Sequence, residues 1–117
     1  MHRYKDLEVW KKAMDLSYKI YELTKEFPSE EKFGLISQMR RCAVSVPSNI
    51  AEGAGRNTNG EFKQFLGIAQ GSAFELETQT LIANRMNFLK NNESDSIIEE
   101  VTSISNMIFK LKQHLKS

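Results

Sequence analysis

The sequence predicts an all-α protein: an antiparallel up-down-up-down four-helix bundle whose second helix is kinked at Pro47. Three observations carry that expectation. Apolar residues recur at steps of three and four along most of the chain, the spacing of one helix face rather than the alternation of a strand. Strong breakers are scarce, with two prolines and six glycines in 117 residues. The breaks at Pro28-Ser29, Gly53-Gly55-Asn57 and Asn91-Asn92 are short, so successive helices should be antiparallel neighbours. No strand candidate, repeat or linker intervenes, and residues 1–117 read as one domain.

The first helix is expected over about residues 5–26, with Val9, Ala13, Leu16, Ile20, Leu23 and Phe27 forming its stripe. Trp10, Met14 and Tyr21 widen that stripe. Pro28 lacks the N–H that a continuing helix needs.

The second is expected over about residues 30–55, with Ser29 as cap and Glu30 and Glu31 in the first turn, where the helix dipole favours negative charge. Lys32 stands where the Glu of a capping box would sit. Its stripe is Ile36, Met39, Ala43, Val46 and Ile50. Pro47 either ends this helix or bends it. Val46, Ile50 and Ala54 hold one phase across the proline, which favours a helix that continues with a kink. Gly53, Gly55 and Asn57 are expected to supply the stop.

The third helix is expected over about residues 59–90, with Thr58 and Glu61 as a capping box. Its stripe runs Phe62, Phe65, Ala69, Ser72, Leu76, Ala83 and Met86. Gly67 and Gly71 lie one turn apart beside Ser72 and Ala73, a spacing that lets another backbone approach closely. The fourth is expected over about residues 93–116, capped by Asn92, with Ile97, Ile98, Val101, Ile104, Ile108, Leu111 and Leu115 on its stripe. Lys110, Lys112, His114 and Lys116 crowd its last turns, where cations suit the dipole.

Composition narrows function mainly by exclusion. Leu, Ile, Val and Phe supply about a quarter of the residues, above the roughly one-fifth below which disorder is the default. The net charge is +1, which excludes a strongly basic or acidic tail. Cys42 is the sole cysteine, so neither an internal disulfide nor a Cys-rich zinc site is expected. With no signal-like or membrane-spanning stretch in the sequence, the expected location is the cytoplasm and no membrane partner is expected.

The familiar chemistries of helical bundles are also missing. A di-iron site needs Glu-x-x-His on two helices, and the only histidines are His2 and His114. No phosphate-binding or dinucleotide-binding glycine pattern occurs. No catalytic residue, cofactor or metal is therefore expected. Cys42, one residue off the core stripe, reads as a small apolar filler.

What remains is a polar face on the second helix. With Ala43 toward the core, Arg41, Ser45, Ser48 and Glu52 fall on the opposite side, with Arg56 nearby. Serines are poor helix formers for a purely solvated face. A solvated surface and a subunit contact both remain open, with a small-molecule site as a third reading. Glu75 and Glu77 flank Leu76 at the edges of the third stripe. Arg40 is a candidate partner for one of them inside the bundle, and Arg41 or Arg56 between subunits. Arg40, Arg41, Arg56 and Lys63 are the candidate nucleic-acid contacts.

The run Arg40-Arg41-Cys42-Ala43-Val44-Ser45-Val46-Pro47-Ser48-Asn49-Ile50-Ala51-Glu52-Gly53, with Phe33 to Met39 before it, resembles the four-helix-bundle family named after proteins encoded in 23S rRNA intervening sequences. Tyr4-Lys5-Asp6-Leu7-Glu8-Val9-Trp10, Phe27-Pro28 and Gly71-Ser72-Ala73-Phe74-Glu75-Leu76-Glu77-Thr78 agree in the same order. Cys42 stands where the family commonly has Ala. The resemblance implies a small helical bundle that assembles into a ring-shaped homopentamer, with Pro47 inside a bent second helix. It implies no enzyme. A related branch, the accessory protein of diversity-generating retroelements, is basic and linked to nucleic acid; the near-neutral charge here departs from it.

The resulting expectation is a non-enzymatic, homo-oligomeric interaction or scaffold protein, pentameric by the resemblance, with RNA or a protein as its further partner. The alternatives are an RNA-binding ring using Arg40, Arg41, Arg56 and Lys63, and a small-ligand or enzymatic site on the polar face of the second helix.

Overall fold

The computed structural model describes residues 2–115. Lys116, expected in the last helical turn, lies outside them. Four helices account for the architecture: α1 (Glu8–Thr24), α2 (Leu35–Ala54), α3 (Asn59–Arg85) and α4 (Asn91–His114). Short 3₁₀ turns at Tyr4–Asp6 and Ser29–Glu31 precede α1 and α2, and there is no strand among the described residues. The protein is an all-α bundle.

The helices pack as a closed square. The backbone of α1 lies beside α2 and α4 and that of α3 beside α2 and α4, while α1 and α3, and α2 and α4, stand diagonally apart across the core. Pairings run in reverse order along each successive pair. Thr24 meets Arg40, Ser17 meets Ala43, and the His2 amide donates to the Ala54 carbonyl. Gln79 meets Cys42, and Ser72 meets Ser45. Gln70 meets Ser105, and Asn84 meets Asn91. Lys19 closes the square with Ser96 and an ion pair to Glu100. The core is the union of the four stripes, with Leu16, Ile20, Met39, Ile50, Leu66, Leu76, Ile97 and Ile108 fully buried.

The helix ends differ from expectation where short-range chemistry overrides the stripe. α1 begins at Glu8, because Leu7 is extended and the preceding 3₁₀ turn sets Tyr4 edge-on to Trp10, 5.2 Å between ring centroids. α2 begins at Leu35, not near residue 30. Ser29 belongs to the 3₁₀ turn and caps nothing; the Leu35 amide donates to Glu31 Oε1 at 3.1 Å. The carboxylate still serves the positive helix end, one turn later than expected.

α2 continues through Pro47 to Ala54. Its stop uses no left-handed glycine: Gly55 caps the helix at φ −86°. Gly53 has another role. A Cβ there would lie 2.7 Å from Phe65 Cβ and 3.0 Å from Phe62 Cδ1, so its bare backbone lets α2 and α3 close together. Gly67 and Gly71, the pair spaced for close approach, bring no other helix backbone near within the bundle. Gly71 has nothing within 4 Å, because it faces outward.

Thr58 caps α3 as expected, with its Oγ1 accepting from the Glu61 amide at 3.1 Å. α3 ends at Arg85, short of residue 90. Asn87 adopts φ 65°, and the Phe88 amide donates back to the Ala83 carbonyl at 2.9 Å. This is a Schellman stop with Asn in the left-handed position. α4 starts at Asn91, with Glu93 Oε1 accepting from the Lys90 amide at 2.8 Å, so Asn92 lies inside the helix.

Candidate functional site

α2 is the helix on which the candidate residues sit, and two neighbours cover its sides. Pro47, Ala51, Val44 and Ser48 line the α1 side. Cys42, Ser45 and Asn49 lie toward α3, where Cys42 meets Gln79 and Ser45 meets Ser72. Of the expected polar face, Arg41, Ser48 and Glu52 are exposed, whereas Ser45 is half-buried against α3. The expected polar face is therefore divided, because a helix packed on two sides has less free surface than a single stripe implies.

Ser45 is the clearest displacement. Its hydroxyl lies 2.8 Å from Ser72 Oγ, and Asn49 Nδ2 donates to both its carbonyl and its hydroxyl, at 2.8 and 2.9 Å. This polar seam joins α2 to α3 and satisfies the partly buried hydroxyls. Ser48 is exposed and lines the α1–α2 side instead.

Arg40 does not pair with Glu75 or Glu77. It turns to α1, with its guanidinium 4.6 Å from the Tyr21 ring centroid and Nε donating to Thr24 Oγ1 at 2.9 Å. Its place on the α1 side of α2 puts the α3 carboxylates out of reach. Arg56 lies 5.0 Å from the Phe65 ring centroid, and its Nε is 3.7 Å from Glu61 Oε2. Lys63 is half-buried in the early turns of α3. Glu77 is half-buried and apart from Glu75, which is exposed.

Two concavities flank α2. The larger, about 580 Å³, is an apolar groove between α1 and α2, lined chiefly by Trp10, Met14, Tyr18, Tyr21, Val44 and Pro47. Trp10, Met14 and Tyr21 were legible as apolar residues beside the α1 stripe; that they form a groove was not. The smaller, about 350 Å³, lies between α2 and α3. It brings Arg41 and Glu75 together with Cys42, Gln79, Ser37, Gln38 and Phe33. Gln79 and Phe33 carried no sequence signal for this.

Within the smaller pocket, Gln79 Nε2 donates to Cys42 Sγ at 3.4 Å, and Cys42 Sγ lies 3.9 Å from Glu75 Oε2. Burial pushes the Cys42 thiol above its ordinary range; the Gln79 bond opposes this, and Glu75 adds to it. The thiol is therefore protonated at neutral pH, which suits a hydrogen-bonding group rather than a nucleophile.

No group of three His, Cys, Asp or Glu side chains converges among the described residues. No described helix is long and apolar enough to cross a membrane.

The bundle has a solved counterpart. A crystal structure of a protein of unknown function from the S23 ribosomal protein family of Bacteroides thetaiotaomicron superposes with a TM-score of 0.83. It covers 90% of this chain and 95% of the other, at 24% sequence identity, so it shows that the bundle is shared. No curated protein matches this chain. The sequence profile of the 23S rRNA-intervening sequence proteins matches residues 5–110, which take in all of α1, α2 and α3 and most of α4. With the helical order and the matched run agreeing over nearly its whole length, the chain belongs to the 23S rRNA-intervening sequence protein family.

Proposed function

We propose that this chain is a non-enzymatic interaction protein that associates with copies of itself, the assembly acting as a scaffold. One observation carries the reading: among its exposed apolar side chains the bundle leaves at least two separate surfaces uncovered. The first is the α1–α2 groove, where Tyr18 is 67% exposed and Tyr21 and Val44 are 41% exposed. The second is the outer face of α3, where Phe74, Leu81, Ile82 and Met86 are each about half exposed. Soluble monomers seldom leave contiguous apolar patches of this kind in water. Two different patches on one chain favour head-to-tail contact, the arrangement that closes into rings. That agrees with the ring implied by the family resemblance.

The cations named for RNA give less support to a phosphate track. Arg40 is packed against α1, Arg56 against Phe65, and Arg41 beside the small α2–α3 pocket.

Light scattering coupled to size exclusion tests the reading. The wild type is expected at a multiple of 13.4 kDa. Tyr18→Glu and Leu81→Glu are each expected to dissociate it while circular dichroism stays helical. Mixed in equal amounts, the two variants should form a one-to-one pair, since each keeps one intact surface. A wild type that runs as a single chain at micromolar concentration overturns the proposal.

A further inference from the structure

The α2–α3 pocket differs in kind from the apolar groove. Its lining is largely polar, and it holds one side chain of each charge. Arg41 makes no ion pair among the described residues, and Glu75 makes none either, accepting a hydrogen bond from the Cys42 thiol. Between α2 and α3, Gln79 is 91% buried, and its Oε1 has no hydrogen-bond donor. A buried acceptor without a donor is costly, and native structures seldom retain one without a reason. At the mouth stands Phe33, 88% exposed.

These groups define what complements them. A simple anion on Arg41 would be repelled by Glu75, and a simple amine on Glu75 would be repelled by Arg41. A neutral base would cover both charges without pairing either. A ligand with adjacent opposite charges satisfies both. An ammonium carries three donors, enough for Glu75 and Gln79 Oε1 together. A carboxylate matches the planar guanidinium fork of Arg41. The cavity of about 350 Å³ is at the small end of ligand sites and suits a molecule of this size.

We propose that the pocket binds a free α-amino acid, its carboxylate on Arg41, its ammonium on Glu75 and Gln79, and an apolar side chain against Phe33. The neutral Cys42 thiol places no competing anion beside Arg41. This site lies apart from the apolar groove and does not depend on self-association.

Calorimetric titration of the full chain with L-phenylalanine, L-phenylalaninamide, N-acetyl-L-phenylalanine and guanosine monophosphate tests it. L-phenylalanine is expected to bind saturably, and the amide and the N-acetyl derivative each about tenfold more weakly or worse, the loss expected for one charge-assisted contact. Arg41→Gln should weaken L-phenylalanine by about tenfold and leave the amide, whose ammonium it no longer repels, bound as well or better; Glu75→Gln should weaken L-phenylalanine likewise and leave the N-acetyl derivative bound as well or better. Both side chains are exposed, and circular dichroism checks that the variants stay folded. Absence of saturable binding up to about 10 mM L-phenylalanine overturns the proposal, as does equal binding of L-phenylalanine and its two derivatives. Tighter binding of the nucleotide, lost in the same variants, reassigns the pocket and also overturns it.

Discussion

The hydroxyl of Ser17 on α1 lies 2.9 Å from the carbonyl oxygen of Ala43 on α2. Ala43 is four residues before Pro47, and proline has no N–H to return the helical bond. The neighbouring helix supplies the donor that the proline removes. The same hydroxyl is 3.1 Å from the Ala13 carbonyl, the bond a helical serine makes to its own backbone. Ser17 thus serves α2 from within α1, and the interior proline is tolerated because a second helix is packed against it.

Ser17→Ala is expected to destabilise the fold by about 1 kcal/mol, the loss of one partly buried hydrogen bond. In a Pro47→Ala background the cost should fall, because the restored backbone N–H can donate to the Ala43 carbonyl itself. Urea unfolding of the four proteins in this cycle measures the coupling. Equal costs in the two backgrounds would show that Ser17 does not compensate the proline.

Gly53→Ala and Gly71→Ala should move stability in opposite directions. A Cβ at Gly53 meets Phe65 Cβ at 2.7 Å, so the α2–α3 approach must open, at about 1–3 kcal/mol. A Cβ at Gly71 meets nothing within 4 Å, and replacing a mid-helix glycine there should gain up to about 1 kcal/mol. Denaturation midpoints with the same sign of change at both positions would contradict the packing described.

Asn87 holds φ 65° at the end of α3. Asn87→Gly is expected to be neutral or slightly stabilising, because glycine adopts this region without steric cost. Asn87→Ala should cost about 1 kcal/mol, since alanine keeps a Cβ there but lacks the short polar side chain that lets asparagine tolerate the left-handed region. Thermal melts of both variants test this, and a harmless alanine would mean that the Schellman stop contributes little.

The Cys42 thiol should alkylate slowly at neutral pH. Its pKa is raised by burial and by Glu75, so fewer molecules carry thiolate than for a free cysteine, and the rate should climb only at alkaline pH. Glu75→Gln removes a raising influence and should move the pH profile of iodoacetamide reaction downward. Gln79→Leu removes the bond that lowers the pKa and should move it upward. Identical profiles for all three proteins would refute the assigned causes.

Much of the fold was legible because it rests on periodicity. Val9, Ala13, Leu16 and Ile20 are buried as their spacing requires, and the Thr58–Glu61 cap forms where the residues call for it. Helix ends were less legible. Glu31 caps α2 from outside the helix, and Asn87 ends α3 through a single backbone torsion, so neither leaves a periodic trace. The candidate site was legible only in part: Arg41 and Glu75 were both singled out, yet Ser45 and Arg40 point to different neighbours.

By itself, then, the sequence determined four helices, their order and their buried stripes, because each depends on residues three or four apart. Tertiary structure decided which polar residue of α2 faces α1, α3 or water, which glycine lets helices touch, and how Pro47 is satisfied. Those outcomes depend on residues such as Ser17, Phe65 and Gln79, well separated along the chain from the α2 positions they meet, whose contacts exist only once the helices pack.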